Sequence, residues 1–372
     1  MQGTPYPNCA QSFKVPFMRS HSRLAAFASI FLVASITTIV SPTVAQAAQT
    51  ESNLFILDVS GSTDSVALWR NLRVSVTSKL GQPFGNPKIG SIPYRSPVDV
   101  SITSVSKNSQ NSPIFPIVTN ADAKKMWGAV EQVFPSSTDA RLKRINEELF
   151  GASGVWASQA RIFTRSKIVV PTVAACRTSA LNSIKRGQFL KSTDPSNQAV
   201  LASAVCERII SIAKSLKQAD DYFATPVCDP SAVCSDIAGA IYRASSLAAD
   251  LGGANNGNNP NNRNKLCIAI ASDMLNESPG VSTTSILNSK HVAKKATSLE
   301  GAKATGVKAA QSVGIRFPSD VSIRVVIVGI GTGQNPLPLD RNSYLLAYWE
   351  GFLTQSGVRQ TDQAQSLNQA CS

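Results

Sequence analysis

The chain has 372 residues, 43% of them hydrophobic and 16% charged, with a formal net charge of +13. The length suffices for a substantial hydrophobic core, or for two, and the charge favours acidic partners such as an anionic membrane surface, acidic polysaccharide or nucleic acid. The basic residues are spread along the chain without an aromatic-interleaved motif, which argues against a nucleic-acid surface, and no C-x-x-C pair supports a zinc or redox site.

Residues 1–47 read as a secretory signal peptide. Lys14, Arg19 and Arg23 form the positive region, Leu24 to Val40 the apolar run, and Ala45-Gln46-Ala47 a small-residue cleavage site. An uncleaved membrane anchor is the rival reading, and Met18 is an alternative start. Removal of this segment takes three of the 36 Lys and Arg and no acid. It leaves 33 basic against 23 acidic residues, a net +10. The expected destination is periplasmic, cell-surface or secreted. Export also leaves six cysteines, an even number compatible with disulfides. Cys176 and Cys206 can staple two helices, Cys228 and Cys234 can close a small loop, and Cys267 reads as a buried thiol in a strand.

Leu54 to Leu57 is an apolar strand that runs into Asp58-Val59-Ser60-Gly61-Ser62. A carboxylate and two hydroxyls in one tight turn suit a small hard cation such as Mg²⁺. Asp, Ser and Gly are also ordinary turn residues, so the motif alone does not decide. Ser65 to Leu80 has helical spacing, 82–97 is a Pro- and Gly-rich loop, Val98 to Val105 alternates as a strand, and Pro113 to Val118 is a weaker one. From Asp122 to Phe223 the pattern is mainly helical, with a short strand candidate at Ile168 to Val170. Asp236 to Leu251 is a helix, 252–264 a Gly/Asn-rich loop, and Leu266 to Ala271 a strand. Lys290 to Val313 reads as a basic helix, Val321 to Ile330 as a doubly buried strand, Ser343 to Gln355 as an aromatic helix, and the end as a polar tail.

Strands separated by helices predict a doubly wound, mostly parallel α/β sheet. Its ligand loops lie beyond the carboxyl ends of the strands. Those ends carry Asp58 to Ser62, Ser272-Asp273 and Gly331-Thr332-Gly333. Ser235-Asp236 opens the helix between them.

Together these elements resemble the von Willebrand factor A (vWA) domain family and its metal-ion-dependent adhesion site. Asp58, Ser60 and Ser62 match its D-x-S-x-S loop, Ser235 stands where the family usually has Thr, and Asp273 matches the last carboxylate. The resemblance covers roughly 52–106 and 227–358. It implies a first part at 48–106, a mainly helical insertion at 107–226, a second part at 227–360, and a polar tail at 361–372. It further implies one divalent cation, Mg²⁺ with Mn²⁺ or Ca²⁺ as alternatives. The cation would keep a position open for an Asp or Glu carboxylate of a protein ligand. Three departures stand out: the long gap between Ser62 and Ser235, Ser235 itself, and Met274 where a Gly commonly follows the last Asp. Glu277 is a candidate extra charge near the ion.

Other chemistry has less support. His291 is the one histidine after the leader and has no triad partners in view. Gly329-Ile330-Gly331-Thr332-Gly333 lacks the rest of a nucleotide-binding motif. A metal-free scaffold in an envelope complex and a metal-assisted hydrolase using Asp58 and Asp273 remain as alternatives to a non-enzymatic binding module.

Overall fold

The apolar run before Asp58 becomes strand β1 (Glu51–Asp58), buried at every residue after Glu51. Such a run needs cover on both faces, as a central parallel strand has. The computed structural model describes residues 51–60, 65–80, 99–135, 137–224, 235–253, 264–278, 281–288, 290–291, 293–332, 336–367 and 369–371. The expected leader, Ser62, Cys228, Cys234 and residues 254–263 of the Gly/Asn-rich loop lie outside these residues.

Five further strands complete the sheet: β2 (Asp99–Val105), β3 (Phe115–Val118), β4 (Asn264–Ala271), β5 (Val321–Val328) and β6 (Gln360–Ala364). Their order is β3-β2-β1-β4-β5-β6. β3 runs antiparallel to β2 at one edge, and every other pair is parallel. The expected doubly wound, mostly parallel α/β sheet is therefore present. The chain moves outward from β1 to β2 and then returns to lay β4 on the other side of β1. In sheets of this kind ligands bind where the strand order reverses, which here is beyond the carboxyl ends of β1 and β4.

Successive residues of a strand face opposite ways, and the two faces build separate cores. Phe55, Leu57, Ala269, Ala271, Val326 and Val328 join one core, with Trp69, Leu72 and Val76 of helix α1 (Ser65–Leu80). The same core continues into α2 (Asn120–Val133), α3 (Asp139–Phe150), α4 (Val155–Ala160), α5 (Val173–Arg186) and α6 (Pro195–Phe223). Leu54, Ile56, Ile268, Ile270, Val325 and Ile327 join the other core. It is closed by α7 (Ile237–Gly253), α8 (Leu299–Val313) and α9 (Leu339–Gln355). Each fully buried Leu or Ile contributes about 1.5–3 kcal/mol.

Helices α8 and α9 touch at backbone distance. A Cβ at Gly306 would overlap the Tyr348 carbonyl oxygen, and one at Gly351 would overlap that of Lys303.

Four sequence readings change. The helix expected from Lys290 starts only at Leu299, where the Ser298 hydroxyl accepts from Gly301 N–H at 3.0 Å and caps it. Residues before it form an irregular turn with a Leu287–Lys294 bridge, and His291 sits at φ 56, which a helix interior excludes. Ile168 to Val170 is not a strand; Ile168 is buried in the α-helical core while Pro171 stops pairing. Cys267 is not a free thiol but is bonded to Cys371, with Cα atoms 5.6 Å apart. The polar segment after Gln360 supplies β6, whose half-exposed residues suit a sheet edge. Asp362 there pairs with Arg324 of β5 at 2.7 Å. Cys176 and Cys206 do staple α5 to α6. Among the described residues, no helix is long and apolar enough to cross a membrane.

Candidate metal centre

Asp58 is the last residue of β1 and is completely buried. β1 and β4 are in register up to Leu57 and Ala271, so the next residues, Asp58 and Ser272, meet at the same level. The Ser272 hydroxyl donates to Asp58 Oδ2 at 2.6 Å and accepts from Met274 N–H at 2.8 Å. Ser60 N–H donates to Asp58 Oδ1 at 2.8 Å, closing the turn. Val59 N–H reaches the Val105 carbonyl at 3.3 Å, so this turn stays tied to the end of β2.

Asp273 follows Ser272 and is 2% exposed. Its Oδ1 accepts from Leu275 N–H at 3.0 Å, and its carbonyl accepts from Gly331 N–H at 2.9 Å. The Gly-rich turn after β5 therefore braces Asp273. Gly331 itself has φ 66, and a Cβ there would overlap the Asn342 side chain. Met274 adopts φ 63, the left-handed region that glycine enters at little cost. The departure from Gly noted in the sequence thus falls on a strained position. Ser272 bonds the Met274 N–H, and the Trp349 indole N–H donates to its carbonyl at 2.9 Å.

Ser235 is buried and precedes α7. Its carbonyl accepts from Glu277 N–H at 3.1 Å, and Asp236 N–H donates to the Ser106 carbonyl at 3.1 Å. These two bonds hold the Ser235 segment between the end of β2 and the loop that follows Asp273. Asp236 Oδ1 caps α7 at Gly239 N–H (2.9 Å), and its Oδ2 accepts from Ser109 N–H (3.0 Å). Asp236 is thus spent on fixing the backbone. Glu277 carries its side chain outward, with His291 Nε2 3.9 Å from its Oε1. His291 lies in the turn before α8 rather than on a helix, with a largely covered side chain.

The structure therefore places Asp58, Ser60, Ser235 and Asp273 on the carboxyl-end rim of the sheet, while Ser62 lies outside the described residues. Burial, with the Asp273 carboxylate adding to it, pushes the Asp58 carboxyl up to about 6; the Ser272 and Ser60 bonds only partly offset this. Two such carboxylates favour a cation between or beside them. Among the described residues no three His, Cys, Asp or Glu side chains cluster as a metal group. The donors that remain are two carboxylates and several hydroxyls, an all-oxygen set that fits a hard ion such as Mg²⁺ and not zinc.

The sequence alone assigned no role to two residues of this rim: Ser272, which it placed only at a strand end, and Asn276. Ser272 bridges Asp58 to the Asp273 loop. Its only signal was a hydroxyl at the end of β4, one residue before the carboxylate. Asn276 is fully buried, and its Oδ1 accepts from Ile237 N–H at 2.6 Å and Ala238 N–H at 3.3 Å. Its amide donates to Ser278 Oγ (2.8 Å) and the Val281 carbonyl (2.9 Å). Asn276 thereby locks the start of α7 to the Asp273 loop, a role invisible without the fold.

No family model matches this chain, and no curated protein matches it. Among solved structures, that of the human COPII-coat protein Sec24c is similar over 86% of this chain, at 11% identity and a TM-score of 0.32. This chain spans 30% of that one. A similarity of that size carries no argument here.

Proposed function

We propose that the chain is an exported vWA-type binding module that recognises a protein ligand through a divalent cation. The observation that carries this reading is the pair of buried carboxylates, Asp58 and Asp273, at the ends of adjacent parallel strands, interleaved with hydroxyls. The strand order and its reversed edge strand support the same reading.

Asp58, Ser60, Ser62, Ser235 and Asp273 are the residues that would hold Mg²⁺, with Mn²⁺ or Ca²⁺ as substitutes. When bound, the ion supplies an electrophilic position that an Asp or Glu carboxylate of the partner can fill. The protein's own part is to orient oxygens. Ser60 N–H and the Ser272 hydroxyl orient both Asp58 oxygens. The Asn276 bonds hold the Ser235 segment against the Asp273 loop. The basic balance of the chain adds long-range attraction for an acidic ligand, whether protein, polysaccharide or an anionic membrane surface. Two disulfides are compatible with an oxidising, exported setting.

Calorimetric titration with Mg²⁺ or Mn²⁺ tests the reading directly. One site is expected, lost in Asp58→Ala and in Asp273→Ala. A folded wild-type protein that binds neither ion would leave the metal-free scaffold as the function.

A further inference from the structure

A cavity of about 320 Å³ opens on the flank of the molecule, between α1, the segment after α4 and the end of α6. None of its lining residues belongs to the metal rim. Its floor is apolar: Trp69 and Phe223 stack with ring centroids 5.1 Å apart, and Ile168 closes the side. All three are buried. Its rim is charged, and the charges do not balance.

Arg73 is committed to the structure. Its Nη1 donates to the Ser166 carbonyl at 2.9 Å and lies 3.4 Å from Asp220 Oδ1, and its Nη2 donates to the Arg165 carbonyl. Asp220 also accepts the Trp69 indole N–H at 2.9 Å. Lys217 and Asp221 pair at 2.5 Å. Both acids of the cavity thus face a cation of their own. Arg70 and Lys167 remain, both exposed and both lining the cavity, and neither has a carboxylate partner among the described residues.

We propose that this cavity is a binding site for a small organic anion with a flat apolar body. The ring would lie against Trp69 and Phe223, and its carboxylate or sulfonate would sit at the mouth beside Arg70 and Lys167. The volume is at the lower end of the roughly 300–1,000 Å³ typical of ligand cavities, which favours a small molecule. A guanidinium and an ammonium at an open rim select for negative charge, while the indole floor selects for a ring.

The test is calorimetric titration of the full chain with sodium 2-naphthoate, and with 2-naphthamide as the uncharged analogue. The acid is expected to bind at one site at least tenfold more tightly than the amide. The double variant Arg70→Glu, Lys167→Glu changes only exposed side chains and should keep the wild-type melting curve. It should lose at least tenfold in naphthoate affinity and less than twofold for the amide. Binding should be unaffected by EDTA and by Asp58→Ala, which separates this site from the metal rim. Absence of naphthoate binding, equal affinity for acid and amide, or an unchanged affinity in the double variant would overturn the proposal. Loss of naphthoate binding in EDTA would overturn it too, by assigning the anion to the metal rim.

Discussion

A carboxyl group withdrawn from water and set beside a second carboxylate holds its proton longer than usual, and Asp58 does so up to about pH 6. The consequence for stability has a definite sign. Between its ordinary value of 3.8 and about 6, the native state keeps a proton that the unfolded chain releases. In metal-free protein this group is therefore least costly below pH 4, and stability is lost as the pH rises through 6. The change amounts to about 3 kcal/mol at 1.36 kcal/mol per pKa unit. Urea unfolding in EDTA at pH 4 and pH 7.5 should show that fall in the wild type relative to Asp58→Asn. Parallel pH profiles of the two proteins would contradict it. Asn276 offers a second check at this scale. Asn276→Ala leaves the buried Ile237 and Ala238 amides without their acceptor, at a cost of about 1–3 kcal/mol. Faster hydrogen exchange of those two amides, with the rest of α7 unchanged, is the expected signature.

At the level of elements, α8 and α9 depend on two missing side chains. Gly306→Ala or Gly351→Ala forces the helices apart, because the colliding atoms are backbone carbonyls that cannot rotate away. Each should destabilise by about 1–3 kcal/mol, read from the denaturation midpoint. The disulfides act on longer spans. Removing Cys176–Cys206, whose ends are 30 positions apart in sequence, should cost roughly 3–4 kcal/mol. Removing Cys267–Cys371, which spans 104, should cost about 5. Double Cys→Ser variants melted beside the wild type measure both. Several elements were legible from local pattern. β1 ends at Asp58 and α1 spans Ser65–Leu80, because an apolar run and a helical period are local signals. The start of α8 was not, since a basic run carries no period and its cap lies at Ser298. β6 was hidden for the opposite reason: an edge strand is free to be polar.

For the molecule as a whole, the proposed cation couples to folding, because its donors come from β1, the start of α7 and the loop after β4. An ion that binds only the native state adds RT ln(1 + [L]/Kd), about 2.7 kcal/mol at a hundredfold excess over Kd. Thermal melts should therefore rise with Mg²⁺ and return to baseline in EDTA, with Asp58→Ala insensitive to both. A melting temperature independent of Mg²⁺ at millimolar concentration would count against the metal reading.

The sequence by itself determined the sheet class, the strand ends that carry Asp58 and Asp273, and the basic balance of the chain. Each is written in neighbouring residues: apolar runs, turn residues and charge counts. The tertiary structure alone decided that β1 and β4 are adjacent, so that Ser272 reaches Asp58 across 214 positions. It also decided that Asn276 reaches back 39 positions to α7. Cys267 finds Cys371, and Arg70 and Lys167 come to line one cavity with Trp69. These contacts join residues far apart in the chain. Only the packing of two cores onto one sheet brings them together, and no local pattern encodes that.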